Sequence, residues 1–145
     1  MTDASGPPRI VVGIDGSSSS IAAFRWAVRQ AQVTGSLVEA VMVWQHPAGA
    51  VSAGDQDFEA ESRRALDGAT EGAFADAPRV PVTRVVEEGE PAPTLVGRSK
   101  DAGLLVVGSR GHGAFVGMLI GSVSQYCVAH AHCPVVVLRG PSHRD

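Results

Sequence analysis

Short, continuously apolar runs alternate with longer segments of helical periodicity along the whole chain, and no other feature restricts the fold as strongly. A run that is apolar at consecutive positions, rather than at every second one, suits a strand covered on both faces, as in a parallel sheet. Five such runs are expected to be strands: Arg9–Asp15, Leu37–Trp44, Val82–Glu87, Gly103–Gly108 with Leu104-Leu-Val-Val107 at its centre, and Pro134–Leu138. The segments between them read as helices. Ser17 to Ser20 offer N-caps to a first helix with Ile21, Phe24, Val28 and Ala31 on one face, closed by Gly35 as a C′ residue near Thr34. Trp26 lies off that stripe and covers a helix edge. Residues 45–54, with Pro47, Gly49 and Gly54, read as a loop. A charged helix follows from Asp55 to about Ala75, its thin apolar face including Phe58, Leu66 and Ala69 and its run interrupted by Gly68 and Gly72. Pro91 opens a third helix at a first-turn position, where a missing N–H costs little, and the helix runs to about Asp101. A fourth spans Ser122 to about Ala131. Strand and helix alternating in this way predict an α/β fold: a single open parallel sheet with helices on both faces.

The 145 residues suit one domain, and neither a repeat nor a linker divides them. Residues 1–8 read as a flexible N-terminal tail, 9–140 as the domain and 141–145 as a polar tail. A net charge of −3 with His neutral argues against a general electrostatic grip on nucleic acid or an anionic membrane. No apolar run approaches a membrane span, and the start lacks a signal-peptide pattern. Cys127 and Cys133 do not make a disulfide framework, so the expected location is the cytoplasm. The last strand, Val135-Val-Val-Leu138, is apolar on both faces. At a sheet edge it would leave a sticky unpaired ladder, and a homodimer through it is the expected remedy.

The chemistry concentrates where the fourth strand ends, at Gly108-Ser-Arg-Gly-His-Gly113, and where the fourth helix begins, at Gly121-Ser-Val-Ser124. In a parallel α/β sheet, ligands sit beyond the carboxyl ends of the strands, where this stretch falls. Glycines let backbone N–H groups face an anion, and a helix N-terminus adds roughly half a unit of positive charge. Gly108, Gly111, Gly121, Ser122 and Ser124 meet those needs, and Arg110 adds a cation. With Lys100 the only lysine, an anion site must lean on Arg and backbone N–H. Two familiar glycine motifs fail. The P-loop needs a Gly-Lys-Ser/Thr that is missing here, and the dinucleotide fingerprint needs a glycine where Val116 stands.

The spacing that does match is Gly108, two residues, Gly111, nine residues, Gly121-Ser122. In this the chain closely resembles the universal stress protein family, in its ATP-binding branch. The resemblance extends to Val11-Val-Gly-Ile-Asp-Gly-Ser17, Gly89-Glu-Pro91, Leu105-Val-Val-Gly-Ser-Arg-Gly111, Leu119-Ile-Gly-Ser-Val123 and Cys133-Pro-Val-Val-Val137, and so to nearly the whole chain. It implies strand order 3-2-1-4-5, a Rossmann-like fold of the adenine nucleotide alpha hydrolase type, and a dimer through strand five. It also implies site roles. Asp15 would lie near the ribose, adenine or a bound metal, and Gly13 and Ile14 would line the adenosine pocket. Val43 would contact adenine by its backbone. Gly108 and Gly111 would approach the ribose and phosphates, and Gly121, Ser122, Val123 and Ser124 would bind phosphates.

Plainer roles stand beside these. Asp15 also suits an N-cap or Asx-turn at the first helix, Ser17 to Ser20 suit capping, and His112 suits a solvated loop. Cys127, His130, His132 and Cys133 do not offer four converging zinc ligands at suitable spacing. Phe115, Met118, Leu119 and Ile120 would shield the loop or pack at a subunit contact. The leading expectation is an ATP-binding regulatory protein of the stress response, with or without Mg²⁺ and with little or no catalysis. Weak ATP hydrolysis stays open, since Arg110 and His112 are the only candidates at the phosphoryl group. Cyclic AMP stays open as well, because backbone contacts discriminate phosphates poorly. A nucleotide-independent dimeric interaction module is a second reading, against which the intact Gly108–Ser122 spacing speaks. An adenine-nucleotide-dependent enzyme is a third, and the chain lacks the Ser-Gly-Gly-x-Asp-Ser loop that ATP pyrophosphatases carry after strand one.

Overall fold

Apolar runs and capped amphipathic segments become strands and helices in the expected order. The computed structural model describes residues 7–45, 55–74, 80–109 and 121–140. These form β1 (Arg9–Gly13), α1 (Ser18–Thr34), β2 (Leu37–Trp44), α2 (Asp55–Ala73), β3 (Val82–Glu88), α3 (Pro91–Arg98), β4 (Leu104–Gly108), α4 (Ser122–His130) and β5 (Val135–Leu138). The tails 1–6 and 141–145, residues 46–54 and 75–79, and the stretch from Arg110 to Ile120 lie outside the described residues.

All strand pairs are parallel, and the sheet order is β3-β2-β1-β4-β5. β1 sits at the centre, with Ile10 beside Val38 of β2 and Leu104 of β4. Consecutive residues of a strand point to opposite faces, so the continuous apolar runs feed two cores at once. On one face Val12, Val38, Ala40, Met42 and Val106 meet Phe24 and Val28 of α1 and Leu66 of α2. Phe24 packs edge-on against Phe74, with ring centroids 5.6 Å apart. On the other face Val11, Val41, Leu105 and Val107 meet Leu95 of α3 and Cys127 of α4. Trp26 is partly buried against the first of these cores.

The helix signals act as anticipated. The Ser17 side chain accepts from Ser20 N, and Gly35 closes α1 in the left-handed region at φ 74°. Boundaries differ where tertiary contacts intervene. α3 stops at Arg98, not near Asp101, because its carbonyl end is capped from another element. The Arg9 guanidinium donates to Arg98 O at 3.0 Å and to Lys100 O at 3.1 Å. The chain then turns sharply, with Asp101 at φ 66°. β1 stops at Gly13, not Asp15, because Asp15 is drawn into the turn that starts α1.

A charge cluster runs across one side of the sheet, from Arg9 at the start of β1 through Glu39 of β2 to Glu87 near the end of β3. Glu39 is buried on β2, with Arg9 Nε 3.1 Å from its Oε1 and Arg98 Nη1 hydrogen-bonded to its Oε2. Arg98 Nε also donates to Glu87 Oε1 at 2.8 Å. Burial works against the Arg98 charge, but Glu87 and Glu39 outweigh it and raise its pKa. This cluster anchors the far end of α3, whose other end reaches the site.

Candidate nucleotide site

At the carboxyl ends of β1, β2 and β4 the two faces part around a cavity of about 450 Å³. Parallel strands end here in turns that lead into helices, so backbone groups are exposed while apolar side chains still form the walls. Eight residues expected from the sequence line it: Gly13, Ile14, Asp15, Val43, Gly108, Gly121, Val123 and Ser124. Ser122 is exposed at the start of α4 and is not among the lining residues. Arg110 and Gly111 lie outside the described residues, as does His112.

Each wall has a local cause. Ile14 N donates to Val41 O at 2.8 Å, which continues the sheet one step and fixes the rim. Asp15 Oδ1 then accepts from Ser17 N at 2.9 Å and from Ser17 Oγ at 2.6 Å, while Ser20 Oγ accepts from Asp15 N at 3.2 Å. This is the Asx-turn role, and Asp15 fills it while also lining the cavity. Gly16 makes the turn at φ 86°.

The glycines at the strand ends serve packing as well as access. A Cβ on Gly108 would stand 2.7 Å from Ser19 C and 2.8 Å from Ser20 N, so only glycine lets the N-terminus of α1 close on β4. That contact was not foreseen, since the sequence assigns Gly108 to a ligand alone. A Cβ on Gly13 would meet Leu95 Cδ1 at 2.8 Å. Leu95 is buried and lines the cavity, so it seals the floor over β1.

The N-terminus of α4 forms the opposite wall. Gly121 is its N-cap and provides no side-chain cap, so the first-turn N–H groups have no capping side chain. Gly121 N donates to Ser109 O at 2.5 Å, and Ser109 N to Leu138 O at 2.7 Å, which ties this helix start to β5. The buried Ser124 hydroxyl is within reach of Gly121 O at 3.1 Å and Ser109 O at 3.4 Å. An anion placed here would meet an uncapped helix start.

Two cavity residues carry no sequence signal that was read. Gln45 follows β2, and Ser62 lies on α2. The inward period of α2 (Phe58, Ser62, Leu66) could have revealed Ser62.

The cysteine and histidine cluster diverges. Cys127 is buried, and burial pushes its thiol from 9.0 to about 11. His130 is exposed and lies against Tyr126, with ring centroids 4.3 Å apart and planes inclined by 42°. Cys133 is half-buried; burial raises its pKa and Arg9 opposes the rise.

A sequence profile described as the universal stress protein family matches residues 7–139. Universal stress protein Rv2623 of Mycobacterium tuberculosis (strain H37Rv) is 40% identical over 142 residues, covering 89% of this chain and 46% of that protein. The chain thus spans less than half the length of that curated relative. Among solved structures, universal stress protein UspA from Lactobacillus plantarum is 26% identical with a TM-score of 0.72, over 94% of this chain and 100% of that one. A universal stress protein solved in complex with cAMP is also 26% identical with a TM-score of 0.72, over 93% of this chain and 98% of that one.

Proposed function

The chain belongs to the universal stress protein family, and from that premise we propose that its cavity binds an adenine nucleotide, with ATP as the ligand and the start of α4 as the phosphate seat. The reading rests on one observation above the rest: the end of strand one, Gly13 to Asp15, and Gly108, Gly121, Val123 and Ser124 of the glycine-rich stretch converge on a single cavity. Its volume of about 450 Å³ falls within the roughly 300–1,000 Å³ usual for small-molecule sites. Val41, Val43, Leu95 and Val107 offer apolar walls to a base, and the uncapped first turn of α4 offers donors to phosphate. A relative solved with cAMP supports an adenine ligand. Arg110 and Gly111 complete the phosphate loop in this reading, and Mg²⁺ accompanies the triphosphate. The bound nucleotide serves a regulatory role in the stress response. A homodimer through β5 belongs to the same proposal, because β5 is an edge strand whose four residues are apolar and only half-buried. No helix among the described residues is long and apolar enough to cross a membrane.

Thermal melting with and without ATP and Mg²⁺ tests the nucleotide. A ligand at about a hundred times its dissociation constant stabilises by roughly 2.7 kcal/mol, a shift on the order of 5–10 °C for a chain of this size. Gly121→Asp places a carboxylate at the phosphate seat and is expected to abolish the shift. An unshifted parent protein overturns the reading. AMP and cAMP on the same sample rank the ligands.

A further inference from the structure

The inward stripe of α2 runs Phe58, Ser62, Leu66, Thr70, one residue in every four. Leu66 and Thr70 are fully buried. Phe58 stacks on Trp44 of β2 with ring centroids 5.9 Å apart and planes 16° from parallel, which seats the first half of α2 over the end of β2. The buried Thr70 hydroxyl is satisfied: it donates to Leu66 O at 2.8 Å and accepts from Arg84 Nε at 2.7 Å. Ser62, the other polar member, instead faces the cavity, and its hydroxyl has no hydrogen-bond partner among the described residues. Gln45 is the first residue beyond β2 and stands two residues past Val43. It lines the same cavity, and its carboxamide likewise has no partner among the described residues. Two uncommitted polar side chains thus line the cavity, one directly after β2 and one on α2 a turn beyond Phe58, which stacks on Trp44 of β2.

We propose that Gln45 and Ser62 read the polar edge of the purine base, a role that rests on the nucleotide reading above. A carboxamide carries a donor and an acceptor side by side, so it can donate to a ring nitrogen while accepting from the adjacent exocyclic amine of adenine. The Ser62 hydroxyl adds a further donor or acceptor to the same edge. Phosphate-seat contacts accept any nucleotide, whereas these two side chains distinguish the base. Apolar walls sharpen the choice, because a polar group left unpaired beside them costs more than a bond there gains.

The test titrates the full chain with AMP and with purine riboside 5′-monophosphate, which lacks the exocyclic amine, in the parent protein, Gln45→Ala and Ser62→Ala. The parent is expected to bind AMP about tenfold more tightly than the analogue. Gln45→Ala is expected to lose about tenfold for AMP and less than twofold for the analogue, with Ser62→Ala losing less on the same pattern. Gln45 is exposed beyond the strand end, so its variant should melt with the parent. Equal binding of both ligands by the parent, or equal losses on both in the variants, overturns base reading and leaves the nucleotide site standing. Failure of the parent to bind either ligand overturns both.

Discussion

One face of the sheet lies under α1 and α2, of 17 and 19 residues, and the other under α3 and α4, of 8 and 9. The long helices close a core of Phe24, Phe74, Leu66 and the inward strand residues, with α1 packed so tightly that Gly108 has no room for a Cβ. The short helices cover a smaller core of six buried residues. The carboxyl end of the sheet opens into the cavity, while toward the other end Arg9, Glu39 and Arg98 tie α3 to β1 and β2. The larger core lies on one face, while the cavity at the carboxyl end is lined from both: Ser20 of α1 and Ser62 of α2 on one side, Leu95 of α3 and Ser124 of α4 on the other. The thick face closes its core away from the strand ends, and the ligand space lies where the helices of both faces reach the carboxyl ends of the strands.

The largest effect expected from this division is Phe24→Ala. It empties the centre of the thick face and should cost about 3–5 kcal/mol in denaturant unfolding, without weakening nucleotide affinity in the folded fraction. A loss below about 1 kcal/mol would mean that the thick face is not where stability resides. A smaller effect is expected at the floor of the thin face. Gly13→Ala drives a methyl group into Leu95 and should cost about 1–2 kcal/mol as well as weakening the nucleotide. In a Leu95→Ala background the added methyl group has room, so a double-mutant cycle should show coupling of about 1 kcal/mol. Additive losses would break the link between Leu95 and the floor. The smallest effect on stability concerns β5, which both faces share: Val136 and Leu138 pack into one core, Val135 and Val137 into the other. Light scattering at micromolar concentration is expected to read a dimer, and a monomer removes the homodimer from the proposal.

Much of this architecture was legible because its causes are local. Continuous apolar runs such as Ile10–Val12 and Leu104–Val107 mark strands covered on both faces, and that inference needs no partner. Ser17 and Gly35 bracket α1 by chemistry confined to one turn each. The sheet order entered through family resemblance, not through periodicity, and the structure agrees with it. In the site, Gly108, Gly121 and Ser124 came from the glycine spacing and the helix start, and Gly13 to Asp15, Val43 and Val123 from the family resemblance; all line the cavity, while Ser122 is exposed. Glu39 was illegible: a carboxylate within a strand gives no sign of burial until Arg98, 59 residues away, arrives beside it. Gln45 was illegible in the same way, since it looks like an ordinary loop residue after β2 until α2 is laid over that strand end, whereas the inward period of α2 could have revealed Ser62.

By itself, then, the sequence determined the succession of elements, their caps and the glycine spacing, because these depend on side-chain period and backbone freedom within a few residues. Tertiary structure alone decided that Gly108 must admit α1, that Leu95 must close over Gly13, that Glu39 would be buried between arginines, and that Gln45 and Ser62 would line one cavity. Those outcomes depend on which surfaces meet when a 17-residue helix and an 8-residue helix pack on opposite faces of one sheet. Close packing between elements distant in the chain leaves no local trace in the sequence.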